Sequence, residues 1–179
     1  LVGIRAPVQG EEQDYLDRAD VRAGLATIGA AGLAFDLVVR VDQLPSAARA
    51  AAALPDVRFV LDHLGKPRIT AGAEGLAEWR AAIAPLAACP NATAKVSGLV
   101  TEADWRRWTV DDLRPYVAGA LEFFGPDRLM LGSDWPVCLL AGTYGVVRSA
   151  LLDALGVLSE TERAAILGDT ATRVYRLSA

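Results

Sequence analysis

Apolar residues fall in two kinds of run along this chain. Short blocks without polar alternation occur at Val2–Ile4, Phe35–Val39, Arg58–Leu61, Thr93–Ser97 and Leu129–Leu131, and read as strands buried on both faces. Between them lie longer stretches whose apolar positions recur every three or four residues, the period of a half-buried helix. They are Asp14–Ile28 (Leu16, Val21, Leu25, Ile28), the Ala-rich Gln43–Leu54, Glu74–Ala88 (Leu76, Trp79, Ile83, Leu86), Val110–Phe124 (Leu113, Val117, Leu121, Phe124) and Tyr144–Leu155. This β-α alternation predicts an α/β fold with a parallel sheet, either a barrel or an open doubly wound sheet. Ser159 with Glu162 forms a capping box before a further helix, and Asp169 is the expected N-cap of a last helix running to Tyr175. No linker or composition break intervenes, so residues 1–179 read as one domain.

Composition narrows the function. The 179 residues are 53% hydrophobic with a net charge of -4, and no basic stripe is present, which argues against nucleic acid as a partner. Cys89 and Cys138 are the only cysteines and have no ligand spacing, so a reducing cytoplasm is the expected location. No apolar run reaches the length of a bilayer span, about 18 residues, and the opening residues carry no basic leader pattern; no membrane partner is expected. No G-x-G-x-x-G follows the first strand, which counts against a dinucleotide site. The chain opens at Leu1 inside what reads as a strand, and the expectation is that it forms the C-terminal part of a longer protein.

The polar residues concentrate where parallel α/β proteins place their chemistry, at the C-terminal ends of strands. The first strand ends at Arg5, the third runs into Asp62, His63 and Lys66, the fourth carries Lys95 and Ser97, and the fifth stops at Ser133 and Asp134. Asp134 is the sharpest candidate for a general base, with Trp135 and Pro136 expected to shield it in part from water; its structural alternative is a turn or a helix cap. His63 is the only histidine, and reads as either a structural hydrogen-bonding residue or a member of the site. Strand alternation would send Asp62 and His63 to opposite faces, with His63 inward, where an imidazole can polarise a carbonyl or bind a metal. Arg5 offers a planar fork for a substrate carboxylate, or is a surface ion-pair partner. Lys95 is read as either a substrate-binding or a snorkelling edge residue, and Ser97, on the same face, can donate a hydrogen bond to substrate. Trp105, Trp108 and Tyr116 read as helix packing.

"FVLDHLGKP", "AKVSGLVTEADW" with "WTVDDLRPYV", and "FGPDRLMLGSDWPV" together resemble the lactonase-like branch of the amidohydrolase superfamily, which includes sugar-lactone and 2-pyrone-4,6-dicarboxylate lactonases. The likeness runs from "GIR" to "ATRVYRL". It implies a TIM (β/α)8 barrel, of which this chain would supply roughly strands four to eight, and it casts His63 as the sixth-strand histidine, Asp134 as the eighth-strand aspartate and Arg5 as a substrate-binding arginine. Relatives usually place a histidine where this chain has Ala6, and an Asn-Ala pair near the end where it reads Asp169, Thr170, Ala171. The His-x-His motif of the first barrel strand is absent. The implied activity is hydrolysis of a cyclic ester, a small-molecule lactone, by Asp-assisted attack of water. A divalent metal such as zinc is open, with His63 and Asp134 the only candidate ligands. Alternatives are a metal-dependent decarboxylase or other hydrolase of the same superfamily, and a non-catalytic truncated fragment that associates with another chain; an incomplete barrel has open edges, so a homo-oligomer is possible.

Overall fold

The computed structural model describes residues 1–177. Five strands, β1 (Gly3–Ala6), β2 (Ala34–Leu37), β3 (Arg58–Leu61), β4 (Ala92–Val96) and β5 (Leu129–Leu131), form one sheet in sequential order, every pair parallel. The helices α1 (Ala19–Ala30), α2 (Leu44–Ala53), α3 (Gly72–Ala87) and α4 (Val110–Phe124) connect successive strands, and α5 (Tyr144–Leu155) follows β5. A last segment holds α6 (Glu160–Ala164), a π-helical turn (Ala165–Asp169) and α7 (Thr170–Tyr175).

Strand alternation divides the core. Phe35, Leu37, Phe59, Leu61, Ala94, Val96 and Leu129 face the helices and pack with Leu25, Leu44, Trp79, Leu113 and Val147 in the main cluster. Their neighbours Ala34, Val60 and Met130 face the opposite, inner side, where they form a second cluster with Val174 of α7. Trp79 is fully buried and meets Tyr116 and Phe123 edge-on. It reaches α4 over Gly119, where a Cβ would come within 2.7 Å of the indole. Asn91 donates to the carbonyls of Ala51, Leu54 and Val57, and Arg128 to those of Ala87, Cys89 and Ala92, so the loops entering the strands carry satisfied backbone groups.

Local signals set three of the helix starts. Thr109 with Asp112 and Ser159 with Glu162 form capping boxes, and Thr143 accepts from Val146 N at the start of α5; such caps contribute about 1 kcal/mol each. Two expectations change. The first helical stretch is broken: Tyr15–Asp17 is a 3-10 turn, Arg18 is extended, and α1 starts at Ala19. Asp17 is drawn instead to Arg22 and Arg49, at 2.8 and 2.5 Å, and Arg49 leads in holding its carboxyl down at about 2. Asp169 is not an N-cap. It has helical angles and no side-chain cap bond, because α6 runs on into α7 through the π turn without a break.

Candidate active site

The site is built where β3, β4 and β5 end. After Leu61 the chain abandons the extended conformation. His63, Leu64, Gly65 and Lys66 all have positive φ (54°, 50°, 73° and 54°), a left-handed run that disfavours non-glycine residues by roughly 1–2 kcal/mol each. It is held from behind, where Trp79 Nε1 donates to the Leu64 carbonyl at 2.8 Å, and across the turn, where Lys66 N donates to the His63 carbonyl at 2.9 Å. This turn corrects the expectation that Asp62 and His63 face opposite ways: alternation ends with the strand, and both side chains serve the same end of the sheet.

The His63 ring lies between two groups. Nδ1 is 2.9 Å from Ser97 Oγ, and Nε2 is 3.5 Å from Asp134 Oδ1. The second distance is within ion-pair range but longer than a hydrogen bond. The arrangement favours the tautomer in which the Ser97 hydroxyl donates to Nδ1 and the Nε2 proton faces Asp134. Ser97 therefore meets the histidine, where the sequence reading gave it to substrate. Burial holds the His63 pKa below its ordinary 6.5, against the pull of Asp134 and Asp62, so the ring is neutral near pH 7.

That depression has a consequence for stability. The folded state binds the His63 proton less readily than the unfolded chain does, so the ring's contribution is complete above about pH 6.5 and is lost as pH falls below it. The thermal midpoint is expected to drop between about pH 7 and pH 5.5, and to drop less in His63→Gln; equal slopes in the two proteins would contradict the assignment.

Gly98 is a requirement that the sequence reading passed over. It sits at φ +65°, and a Cβ there would come within 2.7 Å of His63 Cγ and Nδ1. Gly98→Ala is expected to displace the ring and to destabilise the fold by about 1 kcal/mol or more, a fall of roughly 2–4 °C or more in melting temperature. An unchanged melting curve would show that the backbone there relaxes freely.

Asp134 is also left-handed, with φ 59°, a conformation that Asp tolerates better than most residues. Its backbone carbonyl accepts from Cys138 N at 2.9 Å, which opens the turn Val137–Leu140. Its side chain is 15% exposed, while Trp135 next to it is 64% exposed. Arg5, His63 and Asp134 line one cleft of about 360 Å³ together with Gln9, Lys66 and Thr101. Arg5 Nη1 is 3.5 Å from Asp62 Oδ2, and Lys66 Nζ is 3.1 Å from Glu102 Oε1. Lys95 is neither an edge residue nor open to the cleft. Its ammonium lies 2.6 Å from Asp36 Oδ2 and 2.7 Å from Asp62 Oδ1. Burial opposes that charge, but the two carboxylates outweigh burial and raise the Lys95 pKa above its ordinary value. Tyr116 of α4 packs on Trp79, the helix packing expected of it; Trp108 and Trp105 instead lie in the loop before α4, where Trp108 donates to the Ala141 carbonyl and Trp105, half exposed, to the Thr101 carbonyl.

A metal needs more donors than this end of the sheet offers. Among the described residues no group of three or more His, Cys, Asp or Glu gathers that could hold an ion, and a catalytic zinc usually takes three protein ligands. His63 and Asp134 supply two, so these residues alone do not fit a zinc site.

The amidohydrolase family model matches residues 1–177. The chain belongs to the amidohydrolase family. An L-fucono-1,5-lactonase of Burkholderia multivorans is 45% identical over 99% of this chain and 63% of its own length. Among solved structures, a B. multivorans amidohydrolase with bound zinc superposes with a TM-score of 0.94 at 41% identity, covering 98% of this chain and 64% of that one. A putative 2-pyrone-4,6-dicarboxylic acid hydrolase of Pseudomonas putida superposes with a TM-score of 0.77 at 26% identity, covering 98% and 63%. The chain thus spans less than two thirds of these relatives. Its five parallel β-α units are a partial TIM barrel, as the amidohydrolase motifs implied. No helix among the described residues is long and apolar enough to cross a membrane.

Proposed function

We propose that the protein carrying this chain hydrolyses a lactone, with Asp134 as general base and His63 as the donor to the carbonyl oxygen. The observation that carries this reading is the 3.5 Å separation of His63 Nε2 and Asp134 Oδ1 at the C-terminal end of the sheet, with Ser97 on the far ring nitrogen. Asp134 takes a proton from water as the water oxygen bonds to the lactone carbonyl carbon. The Nε2 proton of neutral His63 stabilises the oxyanion that develops. The ring C–O bond then breaks, and Asp134 returns the proton to the departing oxygen, which becomes the hydroxyl of the hydroxy acid product.

The charges of the cleft favour a neutral lactone over an anionic one. Its two cations, Arg5 and Lys66, each lie beside a carboxylate, Asp62 and Glu102, so neither offers an uncompensated charge to a substrate carboxylate. The similarity to the L-fucono-1,5-lactonase points the same way. The test is an assay of the protein expressed from the complete reading frame against L-fucono-1,5-lactone and 2-pyrone-4,6-dicarboxylate. Faster turnover of the neutral sugar lactone is expected. Preference for the dicarboxylate would overturn the reading of the charges, and hydrolysis of no lactone would overturn the function.

A further inference from the structure

The inner face of the sheet carries a row of ionisable side chains where a barrel interior is ordinarily apolar. Arg5 and Asp36 are register partners on β1 and β2. Leu61 pairs with Ala94, which brings the next residues, Asp62 and Lys95, to the same level. The contacts alternate in sign: Arg5 to Asp62 at 3.5 Å, Asp62 to Lys95 at 2.7 Å, Lys95 to Asp36 at 2.6 Å. Two cations and two carboxylates balance. Asp62 is only 1% exposed, so this compensation matters: a buried charge that loses its partner is strongly destabilising.

The row ends on the C-terminal helix. The Tyr175 hydroxyl lies 2.8 and 2.9 Å from the two oxygens of Asp36, and Lys95 Nζ is 5.4 Å from the centre of the Tyr175 ring. Val174 beside it packs on Ala34, Val60 and Met130. The last helix therefore presses against the inner face and touches the row that ends in the cleft.

We propose that Tyr175 is a positioning residue for the cleft, acting through Asp36, Lys95 and Asp62 on Arg5 and on the turn that carries His63. Its hydroxyl satisfies Asp36 from one side, which leaves Lys95 free to lie between Asp36 and Asp62. Without that hydroxyl, Asp36 is left to Lys95 alone and draws the ammonium toward itself. Asp62 then leans on the exposed Arg5, and its displacement passes along one peptide bond to His63. This rests on the reading of His63 as part of the site, but its test needs no substrate.

Histidine rings are labelled selectively in the protein expressed from the complete reading frame, and the Cε1–H cross-peak of His63 is identified as the one lost in His63→Gln. Tyr175→Phe is expected to move that cross-peak. Ser46→Ala is the control, since it also removes a buried hydroxyl, one without a hydrogen-bond partner among the described residues, from the helix layer; it is expected to leave the cross-peak in place. A Tyr175→Phe spectrum that superimposes on the parent would overturn the proposal, whatever happens to the melting temperature. An equal shift from Ser46→Ala would also overturn it, since general loosening would then account for both. If Tyr175→Phe does not fold, Asp36→Asn is read by the same criteria.

Discussion

Asp134→Asn, made in the protein expressed from the complete reading frame, is expected to slow lactone hydrolysis by about a hundredfold or more, the scale of general-base catalysis. The amide keeps the shape of the carboxylate but cannot accept the water proton. It should also keep the fold. The left-handed angle at this position suits Asn as well as Asp, and the bond from Cys138 N goes to the backbone carbonyl, which the substitution leaves alone. Among the described residues no hydrogen bond ties the Asp134 carboxylate to another side chain, and His63 lies 3.5 Å from it. The loss should therefore appear in kcat with little change in melting temperature, the pattern of an interaction made in the transition state. Full activity in the variant would remove Asp134 from the mechanism.

The second large effect concerns the 179-residue chain by itself, which is expected to associate. β1 and β5 are the edges of the sheet among the described residues, and unpaired strand edges template pairing with another chain. Apolar side chains stand exposed beside both: Leu1, Val2 and Ile4 at one, and Val137, Leu139, Leu140 and Leu167 near the other. A closed barrel would have no such edges. Size-exclusion chromatography with light scattering on the purified chain should give a mass above 18.9 kDa that grows with concentration. A monomer at every concentration would show that the open edges are protected by other means.

The parts of this molecule legible in the sequence are those set by local pattern. β3, α4, β5 and α5 begin and end where the apolar periodicity places them; Thr109 and Thr143 cap the two helices, Gly125 and Gly156 end them, and Gly132 ends β5. His63 and Asp134 were legible because polar residues after apolar runs mark strand ends. The row beneath them was less so. Asp36 interrupts an apolar strand just as Lys95 does, and that shared anomaly was the available signal for their pairing. Tyr175 carries no such signal, because its contact with Asp36 spans 139 residues. The joint use of Asp62 and His63 depends on left-handed backbone, which no hydrophobic period encodes, and Gly98 matters only because the His63 ring lies against it.

The most direct measurement is hydrolysis of L-fucono-1,5-lactone in ¹⁸O-labelled water by the protein expressed from the complete reading frame, with its Asp134→Asn variant alongside and the product read by mass spectrometry. Activation of water by Asp134 for attack at the carbonyl carbon predicts one ¹⁸O in the product carboxylate, none in the hydroxyl released from the ring, and a rate of labelling that collapses in the variant. Label in that hydroxyl, or equal labelling by the two proteins, would contradict the account.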